Sequence, residues 1–329
     1  MLSRVANSIY WMSRYLERVE NTARLIDTQL NMILDLPPMR DDPNAWKPLI
    51  SITGDEEYFK ERYGDPTREN VMYFHTFDDK YANSISSCLT TARENARSVR
   101  EVIPSEMWEQ INRLYITLKG KGASKKAAGQ PHQFYTDIKM TCHMISGIGY
   151  SAMSHGEAWY FAQLGKFLER ADKTSRILDV KYFIILPRLD YIGSTLDNVQ
   201  WTALLKSTSS FEMYRKKFNQ ISPENIVSFL VFDKEFPRSI LYCVQQTEKA
   251  IFKIMGTPPG PYKSDLDQEI EKIVSKINRS NANEIMIDGM HNFLDDLQSD
   301  LNGLGHKISE NFFEVKPVTN LRSFGAQAQ

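Results

Sequence analysis

The sequence predicts an all-α fold, a helical bundle built from two internal repeats related by a pseudo-twofold axis. Three observations predict it. Apolar residues recur at steps of four and three over long stretches, which marks amphipathic helices, while the period-two alternation of strands is scarce. The interruptions are Pro/Gly-rich or polar, at Pro37 to Pro48, Lys119 to Pro131, Pro187 to Asn198 and Gly256 to Ser264, which suits turns. The chain also matches itself at a nearly fixed offset, the mark of a duplicated unit.

The first helix is expected from an N-cap near Ser3 to the stop at Pro37-Pro38. Val5, Ile9, Met12, Leu16, Val19, Ala23, Ile26, Leu30 and Ile33 fall on one narrow stripe of it, so it needs partners on that face. Further helices are expected around Lys80 to Val102, Ser105 to Leu118, Phe134 to Ser154, Glu157 to Ile185, Pro223 to Met255, and Leu266 to Phe313 with a break near Asn281.

The repeat is carried by three blocks in one order. At an offset of 152, LERVENTARLID (Leu16 to Asp27) aligns with LERADKTSRILD (Leu168 to Asp179). The apolar stripe returns in register as Phe161, Leu164, Leu168, Ala171, Ser175, Leu178, Tyr182 and Ile185. At an offset of 155, Trp46, Leu49, Thr53 and Glu57 match Trp201, Leu204, Thr208 and Glu212, and FDDKYANSISSC (Phe77 to Cys88) matches FDKEFPRSILYC (Phe232 to Cys243). The expected organisation is therefore one helical domain over 1–315, with repeat one at about 1–152, repeat two at about 153–315, and a loose tail at 316–329.

Composition narrows the function. The 329 residues carry a formal net charge of −1, with 42% hydrophobic and 25% charged residues, an ordinary globular balance that argues against a nucleic-acid partner. Cys88, Cys142 and Cys243 are isolated, so neither a disulfide framework nor a CxxC metal knuckle is indicated, and a cytoplasmic location is expected. Arg4, Arg14, Glu17 and Arg18 interrupt any secretory apolar core. No stretch of about 18 uncharged apolar residues offers a membrane span. GxxxxGK[ST], GxGxxG and GxSxG are all absent, and no cofactor is indicated.

Beside the apolar stripe of the first helix runs a polar one, Ser13, Glu17, Glu20, Arg24 and Asp27, repeated as Gly165, Glu169, Asp172, Arg176 and Asp179. Exposed charges contribute only about 0.3 to 0.5 kcal/mol per i,i+4 pair, so charge retained between the copies implies burial. Glu20 to Arg24 and Asp172 to Arg176 are correctly oriented acid-to-base pairs. Arg18 and Arg170 are retained as well but point away from this stripe, towards another element.

Two readings of the stripe stand open. In one, carboxylates and guanidiniums tie the repeats together through buried bidentate pairs and bind nothing. In the other, Glu17, Glu20, Glu169 and Asp172 converge as a pocket for a cationic group, a peptide amine or a metal, while the arginines hold a carboxylate or phosphate. A di-metal carboxylate bundle uses ExxH pairs, and the sequence offers only the unrepeated Asp288-Gly-Met-His291, so no metal site is assigned. Arg93, Arg97 and Arg100 in ARENARSVRE form a candidate anion-binding face, with a solvated or paired face as the alternative.

LSRVANSIYWMSRYLERVENTARLID resembles the opening signature of the bacterial alpha-E domain family. ARENARSVRE with Trp108, Glu109 and Asn112, HGEAWYFAQLGKFLERADKTSRILD, Trp201 to Leu205, and FDKEFPRSI are similar to its remaining blocks, so the resemblance runs from Met1 to about Phe313. The second block departs from the expected form, with Lys166 where the first repeat has Arg14, and Asp172 for Glu20. A lysine cannot reproduce bidentate contacts at position 166.

The resemblance implies an all-helical bacterial protein found beside, or fused to, circularly permuted ATP-grasp proteins that resemble peptide ligases, together with transglutaminase-like proteins. It implies a system that makes or removes amide bonds on a peptide or small metabolite. The chain itself is then expected to be an accessory or scaffold subunit rather than an enzyme. The alternative is an enzyme using the paired carboxylates Glu17, Glu20, Glu169 and Asp172 for acid/base chemistry on an amide or amine.

Overall fold

A computed structural model describes residues 1–35, 44–185, 195–257 and 264–314, of which 180–185, 195, 196 and 288 are described for the backbone alone. Among the described residues there are sixteen helices and no strand. They are α1 Ser3–Asp35, α2 Lys47–Thr53, α3 Glu56–Tyr63, α4 Arg68–Thr76, α5 Ile85–Ser98, α6 Ser105–Lys119, α7 Ala123–Gly129 and α8 Pro131–Ala152, then α9 Glu157–Ile185, α10 Thr195–Ser207, α11 Phe211–Lys217, α12 Pro223–Phe232, α13 Ile240–Met255, α14 Asp265–Arg279, α15 Ala282–Asp288 and α16 Met290–Phe312.

The two longest helices, α1 and α9, pack directly on each other in the middle of the molecule. α5 and α8 lie on α1, while α13 and α16 lie on α9. Apolar periodicity explains the arrangement. Ile9, Met12, Leu16, Val19, Ala23, Ile26 and Leu30 of the first stripe are buried, as are Phe161, Leu164, Leu168, Ala171, Ser175 and Leu178 of the second. Tyr182 and Ile185 lie outside the described side chains. From Ala23 to Leu30 every residue of α1 is buried, so these two turns of the helix are enclosed on all sides and their polar residues must find partners inside.

A glycine sets the closeness of the central pair. A Cβ on Gly165 would stand 2.3 Å from the carbonyl oxygen of Tyr10 and 3.1 Å from its carbon. Only a residue without a side chain lets α9 approach the α1 backbone there.

Three expected elements are corrected. The helix expected from Lys80 begins at Ile85, because the Ser84 hydroxyl accepts the Ser87 N–H and caps it. The single helix expected from Pro223 to Met255 is two, α12 and α13. The Asp233 carboxylate accepts the N–H groups of Glu235 and Phe236, Pro237 has no donor of its own, and Ser239 caps the second helix. The segment from Lys119 to Pro131 holds the short helix α7. The break expected near Asn281 is present, with Asn281 capping α15, and a second break follows at Gly289 with φ 112°. The tail at 316–329 lies outside the described residues.

Candidate functional site

The charged side chains of α1 and α9 meet in the interior. Arg170 donates through Nε and Nη2 to the two oxygens of Glu17, at 2.8 and 2.8 Å. Arg18 donates through Nε and Nη2 to the two oxygens of Glu169, at 2.7 and 3.1 Å. Each helix thus gives its glutamate to the other's arginine in a bidentate pair, the strong geometry for guanidinium and carboxylate. The third amino group of each arginine is used as well, Arg18 on the Asn83 side-chain oxygen and Arg170 on the Pro237 carbonyl.

The candidate residues are therefore brought together, and the arginines that bridge the two helices are Arg18 and Arg170. Glu17 and Glu169 are not partnered by Arg24 and Arg176. Those two arginines take the i,i+4 bonds expected of them, Arg24 to Glu20 and Arg176 to Asp172. Arg18 and Arg170 do point towards another element, and that element is the opposing helix, where they form the centre of the site.

Sequence reasoning missed several members. Arg238 donates to Glu17 at 3.2 Å, to Asn21 at 2.9 Å and to Glu20. Arg14 donates to Glu169 at 2.8 Å and to the Tyr10 hydroxyl at 3.0 Å. His143 lies 3.0 Å from Glu20, and Lys173 bonds Asp172 at 3.0 Å. A signal for Arg238 was present in the matching sequence blocks, since it stands where the first block has Asn83, one residue before the capping serine.

The network keeps its acids ionised in a buried setting, with Glu169 0% exposed. Burial alone would raise the Glu17 carboxyl, but Arg170 and Arg238 outweigh it and hold it below the usual range. Burial is likewise overcome at Glu169 by Arg18 and Arg14, and at Glu20 chiefly by Arg238, and both lie well below the usual range. Asp172 is lowered by Lys173 and Arg176 against its own desolvation. Every oxygen of Glu17 and Glu169 accepts a guanidinium hydrogen bond.

Further along the helices, Asp27 faces His132 at 3.0 Å together with Lys139, and Asp179 faces His291 at 2.8 Å. His291 thereby makes a hydrogen bond within the fold, while the Asp288 side chain lies outside the described residues. No group of three or more His, Cys, Asp or Glu placed to hold a metal occurs among the described residues. The cysteine thiols are buried. Cys88 and Cys243 point at the carbonyls of Ala82 and Pro237, each at 3.5 Å, and burial pushes these thiols up to about 11 and about 12.

Beside the network, between α1, α8 and α9, lies a cavity of about 50 Å³ that Glu17, Glu20, Cys142, Trp159 and Lys166 help to line. Lys166 makes no hydrogen bond or ion pair with any described residue, and its ammonium stands 5.8 Å from the centre of the Phe167 ring. Burial, joined by Arg170, brings it down to about 8.

The arginines of the second candidate face are engaged elsewhere. Arg93 donates to Asn112 at 2.8 Å and to Glu94 at 2.7 Å, and lies over Tyr115. Arg97 pairs with Glu94 at 2.6 Å, and Arg100 lies over Trp108. An incoming anion would have to compete with Glu94 for the first two.

No helix among the described residues is long and apolar enough to cross a membrane. The chain is similar to an uncharacterized protein of Mycobacterium bovis and to uncharacterized proteins from two strains of Mycobacterium tuberculosis, each 19% identical over 298 residues. These alignments cover 86% of this chain and 33% of each relative, so the chain spans about a third of the length of the curated relatives it matches. No solved structure matches. Residues 1–313 match Alpha-E, described as a predicted alpha-helical domain with a conserved ER motif; with Glu17-Arg18 and Glu169-Arg170 as two Glu-Arg dipeptides at its centre, the chain belongs to the Alpha-E family.

Proposed function

We propose that this chain is a helical accessory or scaffold subunit of an ATP-grasp-linked amide-bond-forming system, in which it holds the ligase-like partner or presents a peptide to it. The observation that carries the reading is the saturation of Glu17 and Glu169. Both are almost wholly buried, and each has its two oxygens occupied by an arginine of the opposite helix. A general base must have an oxygen free to take a substrate proton, and these two have none. Their role is then to join α1 to α9.

In this reading the chain is two repeats, about 1–152 and about 153–315, closed about a pseudo-twofold axis by the reciprocal Glu-Arg pairs. Matching details support it: Ser84 and Ser239 cap equivalent helices, and Cys88 and Cys243 meet equivalent carbonyls. A circularly permuted ATP-grasp protein and a transglutaminase-like protein are the proposed partners, in the cytoplasm. The tagged chain, expressed in a bacterium encoding all three, should co-purify with the ATP-grasp protein, and alone should neither hydrolyse ATP nor form amides. Robust ligation by the isolated chain would overturn the proposal.

A further inference from the structure

Position 14 of α1 and position 166 of α9 correspond in the repeat, yet they end differently. Arg14 places its guanidinium on Glu169 and on Tyr10. Lys166 carries a single ammonium, which cannot form the forked bond of an arginine, and it is left without an ionic or hydrogen-bonding partner among the described residues while lining the cavity beside α8.

The charges around it decide what would complete it. From α1 it is faced by Glu17 and Glu20, from α9 by Arg170, and from the turn before α13 by Arg238. The α8 wall contributes the Cys142 thiol, which burial and the two glutamates keep neutral. The two carboxylates are already taken by three guanidiniums, those of Arg170, Arg238 and Arg24, so neither is left for Lys166. The partly buried ammonium of Lys166 is left without an ionic partner among the described residues, and shielding a charge from water without a counter-ion is costly. The rest of the wall is mostly apolar, with Leu16, Met107, Ile145 and Trp159, alongside donors such as Ser146 and Gln163. The cavity of about 50 Å³ exceeds what one water molecule needs.

We propose that this cavity is a binding site for a carboxylate carried on a short apolar tail, with Lys166 as its cationic partner. The carboxylate can belong to a free short-chain acid or to the C-terminal end of a peptide, and the recognition chemistry is the same. The site does not depend on the scaffold reading, because carboxylate binding and co-purification are separate measurements.

The test is calorimetric titration of the full chain at pH 7 with sodium butyrate, with n-butylamine as the opposite-charge probe. Butyrate should bind and butylamine should not. Lys166→Met should weaken butyrate by at least about tenfold with the circular dichroism spectrum unchanged. Binding should also weaken as the pH rises through about 8, where Lys166 loses its proton. If Lys166→Met fails to fold, two further measurements decide. Gly149→Ala narrows the cavity, its added Cβ meeting only Met107 sulfur and methyl at 3.8 and 3.9 Å, and should weaken butyrate. In the unaltered chain, the Lys166 amine resonance should respond to butyrate more than any other lysine. A tripeptide with a free carboxylate, compared with its amide, assigns the source: selective binding of the free form places a peptide end in the site, and binding of butyrate alone places a free acid there. No carboxylate binding at millimolar concentration, equal binding of butylamine, or undiminished binding by Lys166→Met would overturn the proposal.

Discussion

Arg170 and Glu17 share two parallel hydrogen bonds where both side chains are buried, so removing one partner leaves a buried charge short of its counter-ion. Arg170→Ala should cost roughly 3–5 kcal/mol. Arg24→Ala should cost less, roughly 1–2 kcal/mol, because Glu20 keeps Arg238 and His143 when Arg24 is gone. Urea unfolding of both variants checks the order, and an Arg24 variant as unstable as the Arg170 one would contradict it. A different residue governs the response to mild acid. His75 is buried with Nε2 unpartnered, and burial brings it down to about 4 from the usual 6.5, against a hydrogen bond to the Leu49 backbone. Between those values the unfolded chain binds a proton that the folded chain refuses, so stability should fall as the pH drops from 6.5 to 4. His75→Phe, whose ring can pack with Phe74 and Tyr81, should flatten the melting temperature across that window. Below it, Glu20 and Glu169 add a further loss, since acids held under their usual 4.5 stabilise above that value and lose this as the pH falls through their folded pKa.

The spacing between α1 and α9 rests on one missing side chain. Gly165→Ala would drive a Cβ into the Tyr10 carbonyl, and since the Cβ is fixed to the α9 backbone and the carbonyl is part of the α1 backbone, the helices themselves must separate. A loss of about 1–3 kcal/mol is expected from such overpacking, with weakening of the Glu-Arg pairs that the spacing permits. Gly147 in α8 is the control. A Cβ there meets nothing within 4 Å, so Gly147→Ala should stabilise by about 0.5–1 kcal/mol through helix propensity. Thermal melts of the two variants should move in opposite directions, and movement of both in one direction would defeat the argument. The long helices were legible because their apolar stripes extend over many turns. Short helices such as α3 and α11, of 8 and 7 residues, span too few turns to set a period, and neighbouring structure decides them.

At the scale of the molecule, α1 and α9 belong to opposite halves of the chain, yet each contains charges that only the other neutralises. Residues 1–152 expressed alone should therefore lack a cooperative melt, with Glu17, Arg18 and Arg14 stranded on an apolar face. Co-expression with 153–329 should restore one. A sharp melt from the first half by itself would show that the halves are independent.

The sequence by itself determined the helical class, the register of the two central stripes, and the residue types of the charged site, because apolar periodicity and retained charge are local properties of the chain. It also marked Lys166 as the departure from Arg14. Tertiary structure alone decided that Glu17 bonds Arg170 and Glu169 bonds Arg18, that Arg238 and His143 join them, and that Lys166 is left facing a cavity. Periodicity assigns each residue to a face of its helix, but the partner across that face depends on the helix spacing and rotation that packing sets, here through the close approach at Gly165.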